Sequence, residues 1–218
     1  MKTIRTCLSA VLIALLSACG GGSSVEETPS LATLVQPSNP AVAGQFGYAT
    51  ALSQDGSTMA VAARREGGGG SGINGDQGPG AENSGAVYVF VLKGGAWVQQ
   101  AYIKASNAAA GDEFGYSIAL SADGNTLAVG APMEDGASSG VNRSQADGIS
   151  DSGAVYVFAR GGDAWREEAY IKASNTGEVD LFGYAVALSG DGRTLAIGAP
   201  YEDSPAITVN GDQGDDPT

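Results

Sequence analysis

The stretch FGYSIALSADGNTLAVGAP at residues 114–132 decides the fold, because the chain writes it three times. It stands upstream as FGYATALSQDGSTMAVAAR at 46–64 and downstream as FGYAVALSGDGRTLAIGAP at 182–200, each copy 68 residues from the next. Other segments keep the same offset. GAVYVF at 85–90 returns at 153–158, and AYIKASN at 101–107 returns at 169–175. A constant period of this size marks one supersecondary unit repeated, each copy burying its apolar face against its neighbours.

Within one unit the pattern predicts four short strands, at 116–121, 126–131, 154–159 and 165–173. Each is rich in Val, Ile, Tyr and Ala and close to ordinary strand length. Asp123-Gly124 at the centre of the first connection predicts a tight hairpin with positive φ at both positions, and Asp55-Gly56 and Asp191-Gly192 fill the same place. Gly161-Gly162 turns the third strand into the fourth. Four antiparallel strands per repeat, without helical periodicity, give an all-β fold: a β-propeller of four-stranded blades. The blades span 46–106, 114–174 and an incomplete 182–218, about two and a half in all. LVQPSN at 34–39 aligns with YIKASN at 102–107, so the ordered part is expected to begin at residue 34 with a last strand. Thr218 aligns with Ser150, inside a loop, whereas a ring closes with about four to eight blades. The chain is therefore expected to be a fragment of a longer protein, or else to assemble with copies of itself.

Phe114-Gly115, Gly130-Ala131-Pro132 and GAVYVF at 153–158 resemble the FG-GAP repeat, the blade unit of the integrin α-subunit propeller. The long form AYIKASN…FGYSIALSADGNTLAVGAP…SGAVYVF is similar to bacterial FG-GAP repeat proteins, which are often exported or lipid-anchored. The match runs from about Leu34 to the C-terminus. One departure is Ala62-Ala63-Arg64 in place of GAP, which puts the first blade's local turn in question.

The N-terminus has its own signal. Lys2 and Arg5 precede an apolar run at 8–16 that is too short to span a bilayer and has the flanks of a secretory signal. Leu16-Ser17-Ala18-Cys19 resembles a bacterial lipobox, which implies cleavage after residue 18 and lipidation of Cys19. The expected organisation is a signal peptide at 1–18, an anchored linker at 19–33 and the propeller at 34–218. Cys7 would leave with the signal, so no intramolecular disulfide holds the exported fold. Localisation to a bacterial outer membrane or cell surface follows as an expectation, with the membrane as a partner through the anchor.

Net charge is −13 over 218 residues. An acidic surface repels phosphate backbones, so nucleic acid is excluded as a partner. There is no histidine, hence no Ser–His–Asp triad and no histidine metal ligand. No glycine loop of the phosphate-binding kind precedes a helix.

In integrins calcium binds between the first and second strands, but the matching segment at 121–126 carries a single carboxylate, too few for that ion. The family's metal site does not carry over, and Asp55, Asp123 and Asp191 are expected to be turn-formers. Acids gather instead in the long connections between second and third strands. There Glu66, Glu134 and Glu202 recur at the offset, as do Asn74, Asn142 and Asn210. Hard oxygen ligands with glycines between them make these loops candidate calcium sites. The candidate ligands are Glu134, Asp135, Asn142, Asp147 and Asp151 in the second copy, and Glu202, Asp203, Asn210, Asp212 and Asp215 in the third. The first copy, with Gly67 and Pro79 replacing two acids, is expected to bind calcium least.

Blade topology places these long loops on one rim together with the 107–113 and 175–181 connections, and loops on a rigid scaffold carry binding. The tyrosines Tyr48, Tyr116 and Tyr184 and the phenylalanines before them are expected to pack between blades. Lys104 and Lys172, alternating with Ile103 and Ile171, are expected to face solvent at an outer edge. The expected function is a lipid-anchored extracytoplasmic binding or adhesion module for a protein or glycan, with calcium as a candidate stabilising ion, and not an enzyme. Two alternatives stand beside it: a glycan-processing enzyme using loop carboxylates such as Glu134 and Asp135, and a spacer carrying a further domain.

Overall fold

The computed structural model describes residues 11–13, 33–40 and 44–204. Strands β1 (Val11–Ile13) and β2 (Thr33–Val35) pair antiparallel. Two four-stranded meanders follow. The first runs β3 (Thr50–Leu52), β4 (Thr58–Ala63), β5 (Ala86–Lys93), β6 (Ala96–Ile103). The second runs β7 (Ser117–Leu120), β8 (Thr126–Ala131), β9 (Ala154–Gly161), β10 (Ala164–Ile171). Each strand pairs antiparallel with its successor, and β11 (Ala185–Leu188) and β12 (Leu195–Gly198) open a third unit. There is no helix among the described residues. The fold is all-β, with sheets that are partial propeller blades.

The core lies within and between the sheets. From Leu127 to Ala131 strand β8 is apolar and buried on both faces, because the second strand of a blade is covered by a neighbour on each side. Phe114 joins two blades. Its backbone N–H donates to Ser84 O of the first sheet (3.0 Å), while its ring packs edge-on against Tyr156 and Phe158 of the second. A Cβ at Gly85 would collide with the Phe114 carbonyl, so the glycine opening GAVYVF is required for this approach; Gly153 meets Phe182 identically. The fourth strands carry matching bulges, at Gln100 and Glu168. Gln100 is thereby aimed at the next blade, where its Oε1 accepts from Trp165 Nε1 (3.0 Å).

Three sequence expectations change. The Asp-Gly connections are not two-residue turns with both φ positive: only Gly56, Gly124 and Gly192 are, near +70°. Gly56 N–H closes a turn onto Ser53 O, and the Asp55 carboxylate accepts from Ser53 Oγ and the Ser57 N–H. This is a type I turn followed by a left-handed glycine. The next turn is Gly162-Asp163 rather than Gly161-Gly162, since β9 extends through Gly161. Finally, Ala62-Ala63-Arg64 preserves the turn of GAP: Glu66 N–H bonds Ala63 O (2.9 Å) as Glu134 N–H bonds Ala131 O (3.2 Å).

Candidate binding face

The long loops at 64–85 and 132–153 and the blade-to-blade connections meet on one rim. Gly111 N–H bonds Glu82 O and Glu113 N–H bonds Asn83 O; Val179 and Leu181 do the same to Ser150 and Asp151. The Asp-Gly hairpins lie at the other rim.

Beneath each long loop sits a buried polar hub. Lys104 is wholly buried, and its Nζ donates to Glu66 Oε2 (2.8 Å), Ser84 Oγ (2.7 Å) and Gly85 O (2.9 Å). Glu66 also accepts from Tyr102 OH, Gly68 N–H and Asn39 Nδ2, each at 2.8 Å. In the second blade Lys172 donates to Glu134 (2.8 Å) and Ser152 (2.7 Å), while Tyr170, Gly136 and Asn107 complete the Glu134 shell. Burial pushes the Glu66 carboxyl up, but Lys104 together with the Gly68 and Tyr102 donors outweighs it and holds the group below the usual carboxylate range. The expectation of solvent-facing lysines is thus overturned. Strands β6 and β10 end at Ile103 and Ile171, so alternation stops there. The long loop then folds over, with Lys104 N–H on Gly72 O and Lys172 N–H on Gly140 O.

The hub also joins blades. Asn107 ends the first blade, yet donates to Glu134 and accepts from Tyr156 OH (2.5 Å) of the second. Asn39 makes the same two bonds to Glu66 and Tyr88, and Asn175 donates to Glu202 (2.6 Å). Segment 34–39 therefore reproduces the end of a fourth strand in its contacts, although β2 itself pairs with β1.

This arrangement answers the calcium expectation for the residues described. Both Glu134 oxygens are committed within the hub. Asn142 has φ of +52°, and pairs its N–H and Oδ1 with the backbone of Tyr170 (2.8 and 2.9 Å). It caps the outer edge strand, as Asn74 does at Tyr102. The Asp135 carboxylate accepts from the Asp151 N–H (2.8 Å), while Asp147 and Asp203 are exposed. Burial, with Asp135 and Glu178 nearby, raises the Asp151 carboxyl. Glu202 is held by Asn175 and Ser204. Among the described residues no three carboxylate, histidine or cysteine side chains gather to hold a metal, and this donor set does not fit calcium. Asn210, Asp212, Asp215 and Cys19 lie outside the described residues.

Two further features mark this rim, and the burial of Asp112 carries no sequence signal. Asp112, 2% exposed, takes one N–H from Ala109 and is pushed up to about 7 by burial, with Glu134, Asp135 and Asp147 adding to it. The tyrosines Tyr48, Tyr116 and Tyr184 form a ladder across the three inner strands, centroids 5.5 and 4.8 Å apart, and Arg64 covers Tyr48 at 4.2 Å. They pack between blades as expected, with Tyr48 and Tyr184 still part-exposed.

The loops above the two hubs differ. In the first blade a cleft of ≈ 780 Å³ opens between the long loop and the segment that carries Asn39 and Gln45. In the second, Asp135 replaces Gly67 and ties across to Asp151.

Repeated glycine contacts, the hub and the inter-blade asparagines all recur at one offset, and a family model describes that unit. The FG-GAP repeat model matches residues 97–158 and 165–215, just over half of the chain. The chain belongs to the FG-GAP repeat family. FG-GAP repeats build propeller modules of the binding or adhesion type, and both matched segments here start in a fourth strand and run through the long-loop face. No curated protein matches the sequence.

Proposed function

We propose that this FG-GAP protein is a non-catalytic binding or adhesion module, anchored at a bacterial surface through lipidated Cys19, that engages a protein or glycan with its long-loop rim. The observation carrying this reading is the division of labour in each blade. The recurring charged residues of the motif are spent on the buried Glu–Lys hub, which fixes the loop base. The residues that change from copy to copy project above it. A rigid scaffold with variable loops on one rim is the arrangement that binding surfaces use. The N-terminal apolar run and the Leu16-Ser17-Ala18-Cys19 sequence support export and anchoring.

The test is solid-phase binding of the full chain to immobilised matrix proteins and envelope polysaccharides, with calcium and with chelator. Arg143→Glu on the long-loop rim should weaken binding, whereas Arg193→Glu at the Asp-Gly rim should leave it intact. Equal loss from both, or no binding to any surface, removes the proposal. Labelling with a fatty acid precursor in a bacterial host, lost on Cys19→Ser, tests the anchor separately.

A further inference from the structure

We infer that the first-blade cleft is a binding site for an uncharged, hydroxyl-rich ligand, a neutral saccharide unit. This rests on the binding-module reading and specifies its ligand and its place. Three positions that line the cleft differ from their counterparts in the second blade. Where the second blade has Asp135 reaching across to the Asp151 N–H, the first has Gly67; where it has Asp147 and Asp151, the first has Pro79 and Asn83. The cleft measures ≈ 780 Å³, a volume in the range of small-molecule sites. The same changes remove three acids, while Asp76 and Glu82 stand where the second blade has Ser144 and Ser150.

What remains is a set of polar groups with hydrogen-bonding capacity to spare. Gln45 Oε1 accepts from Arg64, leaving its amide N–H₂; Gln77 Oε1 accepts from Ser38, leaving the same. The Asn83 amide and the Glu82 carboxylate have no side-chain partner among the described residues. Arg65 is exposed and only loosely paired with Glu113 (3.5 Å). Glu82 and Asn83 are held in place by their own carbonyls, which accept from Gly111 and Glu113. Amide donors, an amide acceptor, one carboxylate and one guanidinium together suit a partner whose every group both donates and accepts, as a hydroxyl does. An anion would face Glu82 over the Glu66 carboxylate, and a cation would find a single uncommitted acid. Among the lining residues only Pro40 and Pro79 carry apolar side chains.

The experiment is titration calorimetry of the full chain with maltotriose, cellotriose and N-acetylchitotriose, with trigalacturonate as the charged control. At least one neutral trisaccharide should bind and trigalacturonate should not. Gly67→Asp, which installs the second blade's residue where a Cβ has ordinary contacts (3.5 Å to Ala81 O), should weaken that binding by about tenfold or more. Asn83→Gly, which keeps the left-handed backbone (φ +57°), should do the same. Unchanged melting of both variants confirms that the cleft, not the fold, was altered. Absence of binding by all three neutral sugars, or binding indifferent to Gly67→Asp, overturns the inference. If binding to immobilised proteins persists in that case, the binding-module reading stands without the saccharide.

Discussion

The two described blades have the same foundation and different summits. Lys104 and Lys172, Glu66 and Glu134, Tyr102 and Tyr170, and Asn39 and Asn107 superpose as one hub in hydrogen-bond pattern and distance. Above it, the first loop is glycine-rich and open, and the second is acidic and tied to itself by Asp135. The difference teaches that charge in this repeat has two unrelated uses. The Glu–Lys pairs that recur in the hubs are buried and structural, whereas Glu82 and Asp147, long-loop acids that vary between copies, are exposed.

The largest test of that equivalence is removal of the buried ammonium. Lys172→Met leaves Glu134 enclosed without its cation, and loss of one partner of a buried pair costs about 3–5 kcal/mol. Lys104→Met should cost the same within about 1 kcal/mol, since its surroundings match. Denaturant melts of the two variants measure this. Tolerance of one and not the other would show that the hubs are not interchangeable.

A pH titration should separate the blades next, because Asp112 has Gly44 at the matching position of the preceding unit. Asp112 is raised from 3.8 to about 7, so between these values the native state holds a proton that the unfolded chain has released. Stability therefore falls as pH rises through this window and levels off above it. The fall is at most about 4 kcal/mol, at 1.36 kcal/mol per pH unit. Glu66, held low, works oppositely: its contribution is present above the ordinary carboxylate value and is lost as pH falls below it. Asp112→Asn should lessen the slope between pH 4 and 7, leaving the share of the raised Asp151 and Glu167 carboxyls and the acid limb. An unchanged slope in the variant would place the titrating group elsewhere.

The propeller was legible because its evidence is local and repeated. A turn glycine, an apolar run and a fixed offset survive without knowledge of tertiary partners, and Thr126–Ala131 falls where its pattern places it. The burial of Lys104 is hidden from the sequence for the opposite reason. Its partner Glu66 is 38 residues away in a loop with no periodicity, and alternation from Ile103 suggested an exposed face. A usable signal existed: Glu66 and Glu134 recur at the same offset as Lys104 and Lys172, so opposite charges are kept together in each copy. The pattern likewise marks Asn142 as a ligand because its side chain offers an oxygen, whereas its backbone conformation gives it the role of capping an edge. The cleft left no sequence signal except the glycines and proline that hollow it.

Between those extremes stand the asparagines that latch one unit to the next. Asn107→Ala removes a donor to Glu134 and the acceptor of the Tyr156 hydroxyl, leaving buried groups unsatisfied at a cost of about 2 kcal/mol. Asn39→Ala should cost a similar amount, although its segment precedes the first four-stranded sheet. A negligible effect at Asn39, measured by thermal unfolding, would break the claim that residues 34–39 act as the end of a fourth strand.

The smallest expected effect compares two turns of the same sequence type. Gly56 and Gly124 have the same left-handed φ, +69° and +68°. Alanine in that conformation costs about 1–2 kcal/mol relative to glycine at either site. The surroundings differ. A Cβ on Gly56 meets nothing within 4 Å, whereas one on Gly124 would lie 2.8 Å from the Thr58 Cβ of the preceding blade. That blade also donates the Gln54 N–H to Ala122 O (2.9 Å), so the turn cannot withdraw freely. Gly124→Ala should therefore be worse than Gly56→Ala by a further increment of about 1 kcal/mol, the scale of mild overpacking. Equal destabilisation would mean that the hairpin yields at the blade junction, leaving the asparagine latch and Phe114 to set the spacing between blades.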